Sequence, residues 1–304
     1  MGPDRRALAT CRAFDLAIRS DLALPGAMAA DPDAGASVDV EIIEGPAVLE
    51  GASSTLGPYR LAGDRLLFSR RGVADYLCEG GGRIVVERAP GADAFEVRGS
   101  LIATALPALL WMRGEIVLHA AAAVLPGARR AIAIGGASGA GKSSLLDQLL
   151  SFGSTLVGDD ALRLRHDGPA MLASGLPAGL FLGDHGRAFK PAPPEQQAAS
   201  AELAALVVLE TPRGQDAPRF RRLRGADALE TLLAGRHRPR VPRLLGREAG
   251  LLPAFSRLAG HLPVYHWRRR EDALTLEADE VEFLASLDRP AGLGETMTNG
   301  ERIV

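Results

Sequence analysis

The fold is decided by Gly135-Gly136-Ala137-Ser138-Gly139-Ala140-Gly141-Lys142-Ser143-Ser144. This stretch fits the pattern G-x-x-x-x-G-K-[ST], in which the glycines let the backbone wrap closely around a phosphate group. Successive N–H groups then form an anion-binding nest, the lysine reaches the β- and γ-phosphates, and the serine hydroxyl takes a place on Mg²⁺. The pattern therefore predicts a nucleoside triphosphate site made by Gly136, Ala137, Ser138, Gly139, Ala140, Gly141, Lys142, Ser143 and Ser144.

The segments on either side of this loop predict a strand and a helix. Ala131–Ile134 is a short apolar run, as is typical of a buried strand. After the loop, leucines recur at the spacing of a helix face, at Leu145, Leu146, Leu149 and Leu150. This order places the positive end of a helix at the bound phosphate. The alternative is a chance glycine-rich turn, but pattern and context together favour an α/β nucleotide-binding core.

Composition narrows the class of protein. The chain has 304 residues, of which 47% are hydrophobic and 24% charged, so a sizeable core is expected. A net charge of −2 argues against nucleic acid as a partner. Cys11 and Cys78 are too few for a disulfide framework, which fits a reducing cytoplasm. The N-terminus has no signal pattern, and the longest apolar stretch, 101–112, is too short to span a bilayer. We expect a cytoplasmic protein with no membrane partner.

Positive charge is concentrated in one region. Residues 211–270 contain fourteen arginines and four acidic residues, whereas the whole chain has two lysines, Lys142 and Lys190. Coding bias is one explanation of the arginines. The other is a surface that docks an acidic peptide or a phosphate group, for which Arg221, Arg222 and Arg224 are the predicted residues because they flank a strand next to a helix start.

Patterning along the chain suggests two lobes and a tail. Phe14–Ile18 and 38–42 alternate like half-buried strands, and glycine-rich turns punctuate further short strands. We predict a smaller β-rich N-terminal lobe over residues 1–112, which ends in a buried helix at 101–112. The P-loop domain follows over 113–287, with a mobile loop at 183–200. Residues 288–304 lack periodicity and are predicted to be disordered.

Four further side chains are candidates for chemistry. His119 ends a predicted strand that 120–124 continues, and it is either a functional residue or a packed surface one. Asp159 and Asp160 end an apolar strand, where paired carboxylates can hold Mg²⁺ and accept a proton from a hydroxyl, unless they form a solvated turn. Glu210 ends the next apolar strand and is either a second metal-shell carboxylate or a strand-end charge.

The order of Leu118-His119, the P-loop and Leu156-Val157-Gly158-Asp159-Asp160 resembles the HPr kinase/phosphorylase family, whose nucleotide fold is shared with the PEP carboxykinases. The opening Phe14-Asp15-Leu16-Ala17-Ile18-Arg19-Ser20-Asp21-Leu22-Ala23-Leu24-Pro25 is similar to HPr-kinase-related proteins encoded with peptide-modifying enzymes, among them the lasso-peptide precursor kinases. The resemblance implies an enzyme that uses ATP and Mg²⁺ to phosphorylate a serine hydroxyl of a peptide, the C-terminal serine of a lasso-peptide precursor.

The resemblance also implies roles for individual residues. His119 and Lys142 would act on the transferred phosphoryl group, Asp159 would be the base, and Ser143, Asp160 and Glu210 would hold metal; the two aspartate roles can be exchanged. No clear Glu-x-Arg-Gly segment follows the aspartates, which argues against HPr as acceptor and against phosphorylase activity. Kinases of a small hydroxyl metabolite such as free serine, and a P-loop ATPase switch, remain alternatives, and homo-oligomerisation stays open.

Overall fold

The computed structural model describes residues 9–30, 37–182, 188–210, 219–269 and 275–288. The predicted tail at 289–304 lies outside these residues. The described part of the chain forms two large mixed sheets and a set of α-helices, so the predicted α/β class is confirmed.

The first sheet is built from the N-terminal segment. Its strands are β1 (Ala9–Ala13), β2 (Leu16–Ser20), β3 (Met28–Ala29), β4 (Val40–Glu44), β5 (Ser54–Leu56), β6 (Tyr59–Ala62), β7 (Arg65–Arg70), β8 (Ala74–Glu79) and β9 (Arg83–Arg88). They lie in the order β3-β1-β2-β4-β9-β8-β7-β6-β5. Alternating burial along β2 and β4 explains the pairing, because every second side chain faces the core.

A long apolar helical segment follows the first sheet. It consists of α1 (Ala94–Ser100), a π-helical stretch (Leu101–Ala105) and α2 (Leu106–Met112). Among the described residues, 94–112 passes the length and hydropathy criteria for a membrane span, but 67% of its apolar window is buried inside the protein. The segment is therefore packed as a core helix.

The second sheet carries the P-loop. Its strands are β10 (Ile116–Leu118), β11 (Ala120–Val124), β12 (Ala131–Gly136), β13 (Thr155–Gly158), β14 (Leu162–Asp167), β15 (Ala170–Ser174), β18 (Ala201–Glu210), β19 (Phe220–Leu223) and β20 (Val264–Arg268). The helices of this part of the chain are α3 (Lys142–Ser151), α4 (Gly225–Ala234), α5 (Arg240–Leu244), α6 (Glu248–His261) and α7 (Ala278–Ser286). A separate hairpin pairs β16 (Gly179–Leu182) with β17 (Ala188–Pro191).

The centre of the second sheet positions the site. The sheet runs β10-β14-β15-β18-β12-β11-β13, with β20 also paired to β18 and β19 paired to β20. Strands β12, β18 and β20 are parallel, so their carboxyl ends meet at one edge, at Gly136, Glu210 and Arg268. In open α/β sheets, ligands bind beyond this edge. The P-loop leaves β12 there.

One core connects the two sheets. A single cluster of buried side chains includes Ile18 and Tyr76 from the first sheet, Trp111 from α2, and Ala133 and Leu206 from the second. The helical segment 94–112 is therefore the packing layer through which the two sheets are joined.

Two local predictions are wrong. His119 does not lie within one continuous strand, because the chain changes partners there: β10 pairs with β14, and β11 pairs with β12 and β13. The predicted loop at 183–200 contains strand β17, which pairs with β16, and a 3₁₀ turn at Pro194–Gln196. Residues 183–187 of that loop lie outside the described part of the chain.

Candidate active site

The backbone of the P-loop requires its glycines. Gly136, Gly139 and Gly141 have φ angles of +139°, +82° and +86°, in the left-handed region that favours glycine. A Cβ atom on Gly136 would also lie 3.1 Å from the carbonyl oxygen of Leu209, so this loop packs tightly on β18. Helix α3 begins directly after the loop at Lys142. Its first N–H groups have no partner within the helix, and they suit an anion such as phosphate.

Lys142 is folded back over the loop. Its Nζ donates to the carbonyl oxygens of Gly136 and Ala137, both at 3.0 Å, and lies 3.1 Å from Nε2 of His119. Burial lowers the pKa of the Lys142 ammonium, although the carboxylates of Asp160 and Asp159 oppose this shift. The ammonium thus lies where it can contact a phosphate on the loop.

His119 connects the lysine to Asp160. It lies between β10 and β11, beside the end of β12, and its main-chain N–H donates to the carbonyl of Gly235 at 2.7 Å. Its Nδ1 lies 3.1 Å from the main-chain oxygen of Asp160 and 3.3 Å from the Oδ1 atom of that residue. Since Lys142 donates to Nε2, the ring proton belongs on Nδ1, facing Asp160.

Asp159 is buried beneath the P-loop. Its Oδ1 accepts from the Ser143 hydroxyl at 3.0 Å and from the Asp160 N–H at 2.9 Å, and its Oδ2 accepts from the Phe181 N–H at 3.2 Å. Desolvation, followed by the charge of Asp160, raises the pKa of Asp159 to about 6. The paired oxygens of Ser143 and Asp159 are the hard ligands that Mg²⁺ prefers, so these two residues fit the metal of a Mg·nucleotide.

Asp160 faces the opposite way, into an open cleft. Its backbone has φ +66°, which aspartate tolerates better than most residues, and 43% of its side chain is exposed. Although desolvation acts in the other direction, hydrogen bonds from the imidazoles of His119 and His237 hold the pKa of Asp160 well below its usual range. The carboxylate is therefore ionised across the neutral pH range.

Two glycines allow the backbone just before the aspartates to pack closely against another segment. A Cβ on Gly158 would lie 2.7 Å from the Cα of Gly175, and a Cβ on Gly175 would lie 2.8 Å from the Cα of Gly158. The backbones of β13 and of the turn after β15 consequently touch, which no larger residue permits.

The cleft in front of Asp160 has a volume of about 880 Å³. One wall is the P-loop, at 136–138, together with His119 and Asp160. The other wall is formed by α4 and β19, with Asp227, Glu230 and Arg221 among its residues. This volume is within the usual range for a ligand pocket and extends from the phosphate site to the second wall.

The predicted metal set of Ser143, Asp160 and Glu210 is not brought together. Ser143 bonds Asp159, as described above, whereas Glu210 lies 3.0 Å from Nδ1 of His266 and 4.0 Å from Nε of Arg268. Glu210 continues β18 beside β20, so its carboxylate meets the side chains of that strand. Its ion pairs at the end of β18 favour the strand-end charge, and a metal-shell role of Glu210 stays a prediction.

His237 is the residue that sequence reasoning missed. It is 3% exposed, and its Nε2 lies 3.5 Å from Oδ2 of Asp160. With His119 it forms a cluster whose ligand atoms lie within 4.8 Å of one another, a composition that suits a transition metal. However, the His119 proton on Nδ1 faces Asp160 and occupies the lone pair that a metal would need. The hydrogen-bonded arrangement therefore competes with metal binding.

Of the three predicted arginines, Arg221 lines the cleft. It contacts Asp227 and His266, each at 3.3 Å. Arg222 follows it in β19 and points to the other face of the strand, because side chains alternate. Arg224 precedes helix α4 and is exposed. The three side chains therefore do not form one surface.

Comparison with known proteins adds little. No family model matches the chain, and no curated protein matches it. A solved structure of the Hpr(Ser) kinase/phosphatase from Coxiella burnetii is similar over 56% of this chain and 92% of that chain, with 15% identity and a TM-score of 0.35. This TM-score is too low to carry a functional argument. The function must therefore be inferred from the site.

Proposed function

We propose that the protein is an ATP- and Mg²⁺-dependent kinase that transfers the γ-phosphoryl group to a hydroxyl. The observation that carries this proposal is the division of the paired aspartates. Asp159 is buried against the P-loop serine, and Asp160 is ionised, half-buried and placed in the cleft beside the loop. An ATPase switch needs only the phosphate site. An ionised carboxylate that faces a large open cleft suits a second substrate, the acceptor of the phosphoryl group.

A few side chains share the steps of the phosphoryl transfer. The acceptor oxygen attacks the γ-phosphorus, the bond to the β–γ bridging oxygen breaks, and ADP leaves. Asp160 takes the proton of the acceptor hydroxyl, while Lys142 and the P-loop amides stabilise the charge on the phosphates. His119 orients Asp160 and Lys142 through its two ring nitrogens. Ser143 and Asp159 would hold Mg²⁺, which neutralises phosphate charge. The roles of the two aspartates are thus the reverse of those that the resemblance implied: Asp160 is the base, and Asp159 holds the metal.

The acceptor in this proposal is a serine hydroxyl of a peptide. The motif order and the opening segment support a lasso-peptide precursor with a C-terminal serine, and Arg221 supplies a cation in the cleft for an acidic group. We place this reaction in the cytoplasm, with neither nucleic acid nor a membrane as partner. A small hydroxyl metabolite, such as free serine, is the competing acceptor because it also fits a cleft of about 880 Å³.

Mass spectrometry after incubation with Mg·ATP tests the proposal. The acceptors are a peptide ending in serine, the same peptide ending in alanine, free serine, and none. We expect the mass of one phosphoryl group to be added to the serine peptide alone, and not by Lys142→Ala protein. Phosphoserine from free serine would favour the metabolite kinase, and ADP formation at the same rate without acceptor would favour the ATPase switch.

A further inference from the structure

We propose that His237 is a positioning residue that, together with His119, clamps the Asp160 carboxylate in its orientation toward the acceptor hydroxyl. This inference rests on the proposed function, in which Asp160 is the base. It concerns a residue in the arginine-rich segment that neither the P-loop pattern nor the aspartate pair points to.

The main chain fixes where the His237 ring lies. Its N–H donates to the carbonyl of Val117 at 2.9 Å, and its carbonyl accepts from Nε1 of Trp111 at 2.8 Å. An isolated bridge between Leu118 and Arg236 pins the preceding residue to β10. The backbone before the ring is thus held by the strand that leads into His119, and the carbonyl of His237 is held by α2. The two histidines are therefore positioned relative to each other, with ring centroids 5.6 Å apart.

Each oxygen of the Asp160 carboxylate faces a different imidazole. Nδ1 of His119 lies 3.3 Å from Oδ1, and Nε2 of His237 lies 3.5 Å from Oδ2. Both contacts are long for hydrogen bonds, and Nδ1 of His119 lies closer, at 3.1 Å, to the main-chain oxygen of Asp160. Catalytic hydrogen bonds are often long in ligand-free sites and shorten in the reacting complex. Two donors on separate oxygens prevent rotation of the carboxylate, which one donor alone does not. Because 43% of the Asp160 side chain is exposed, little other packing restrains it.

The unbonded nitrogen of His237 defines its protonation state. Nδ1 is buried and has no hydrogen-bond partner among the described residues. A proton on Nδ1 would be a buried donor without an acceptor, which is costly, so the neutral ring carries its proton on Nε2. In that tautomer, His237 donates to Asp160 and leaves only a lone pair unpaired. The burial of Nδ1 thus selects the form of the ring that the clamp needs.

A matched pair of amide variants isolates this donor. The side-chain amide of His237→Gln reaches the place of Nε2, whereas that of His237→Asn ends near the place of Nδ1. We expect His237→Asn to lower kcat for transfer from Mg·ATP to the serine peptide by about 10- to 100-fold, the loss of a hydrogen bond to a charged group. His237→Gln should restore most of kcat, and both should keep the Mg·ATP dissociation constant. His166→Asn, at the exposed end of β14, is the control for loss of a histidine.

Equal kcat values in His237→Asn, His237→Gln and wild type would overturn the proposal. So would a loss confined to the Mg·ATP dissociation constant. An ¹⁵N NMR correlation spectrum of the histidine rings decides the matter without any acceptor, with the signal of His237 assigned in the wild-type protein by through-bond correlation of its ring to its own backbone resonances. A proton on Nε2 supports the clamp, and a proton on Nδ1 refutes it even if the amide variants fail to fold. Absence of transfer by wild-type protein would instead refute the proposed function.

Discussion

Replacing Asp159 by Asn should change how stability depends on pH. Desolvation raises the pKa of this carboxyl from 3.8 to about 6 in the folded protein. The folded state therefore binds the proton more tightly than the unfolded state, and stability is lost as pH rises from about 4 to about 6. A shift of roughly two units corresponds to about 3 kcal/mol of destabilisation above pH 6, at about 1.4 kcal/mol per unit.

Replacement of Asp159 by Asn also changes the free energy of unfolding by an amount that does not depend on pH. Three donors face the carboxylate of Asp159, so the amide nitrogen of Asn would face the N–H of Phe181 at one position or the N–H of Asp160 at the other. That conflict costs about 1–3 kcal/mol, but it does not vary with pH. We therefore predict how the difference between the two proteins changes with pH: the free energy of unfolding of Asp159→Asn should rise by about 3 kcal/mol relative to that of wild type between pH 4 and pH 7.

Urea unfolding at a series of pH values, without divalent ions, measures this difference. Asp64→Asn removes an exposed carboxylate in the turn before β7 and serves as the control for a general change in charge. A free energy of unfolding for Asp159→Asn that runs parallel to wild type across this range would refute the argument. So would a relative loss of stability on going to pH 7, because both results require an Asp159 that ionises as easily as an exposed carboxyl.

Three further predictions concern the loop and the cleft. Lys142→Ala should lower phosphoryl transfer by orders of magnitude while circular dichroism stays unchanged, because several kcal/mol of charge stabilisation are lost from the transition state. Gly136→Ala should weaken Mg·ATP binding in calorimetry, since the new Cβ meets Leu209 at 3.1 Å and the φ angle is +139°. Arg221→Glu should raise KM for an acidic peptide in a salt-dependent way, whereas Arg222→Glu, on the other face of β19, should not; equal effects would contradict the docking role.

The phosphate site could be predicted from the sequence because its parts are close together along the chain. Strand β12, the loop and α3 form one continuous segment, and glycine spacing reports the backbone shape that it needs. The aspartates were found for the same reason, at the end of one apolar strand. What their side chains face was not predictable, since the partners Ser143, Phe181 and the two histidines come from distant segments of the chain.

His237 was missed because its contact with Asp160 is made by distant segments. The arginines on either side of it make the segment read as a charged stretch, and a single histidine between arginines matches no motif. Its burial, between the half-buried Arg236 and the exposed Arg238, is visible only in the structure. Pairing between β10 and residue 236 was required to place it.

Part of the arginine excess has a structural explanation. Arg219 contacts Glu277, Asp279 and Glu280, three acids at the start of α7 that lie outside the arginine-rich segment. Arg247 donates to the main-chain oxygens of Trp111 and Met112, at the end of α2. Charge counted over a window of sequence therefore overstates what is free for a ligand, because partners come from elsewhere in the chain.

The exchange of roles between the two aspartates is the central claim, and single-turnover transfer by Asp160→Asn protein at saturating Mg·ATP tests it most directly. Transfer to the serine peptide should fall by about 100- to 10,000-fold, since the base is lost. Mg·ATP should bind as in wild type, because Ser143 and Asp159 are untouched. Transfer at a near wild-type rate by Asp160→Asn protein, with bound Mg·ATP verified by calorimetry, would contradict the account.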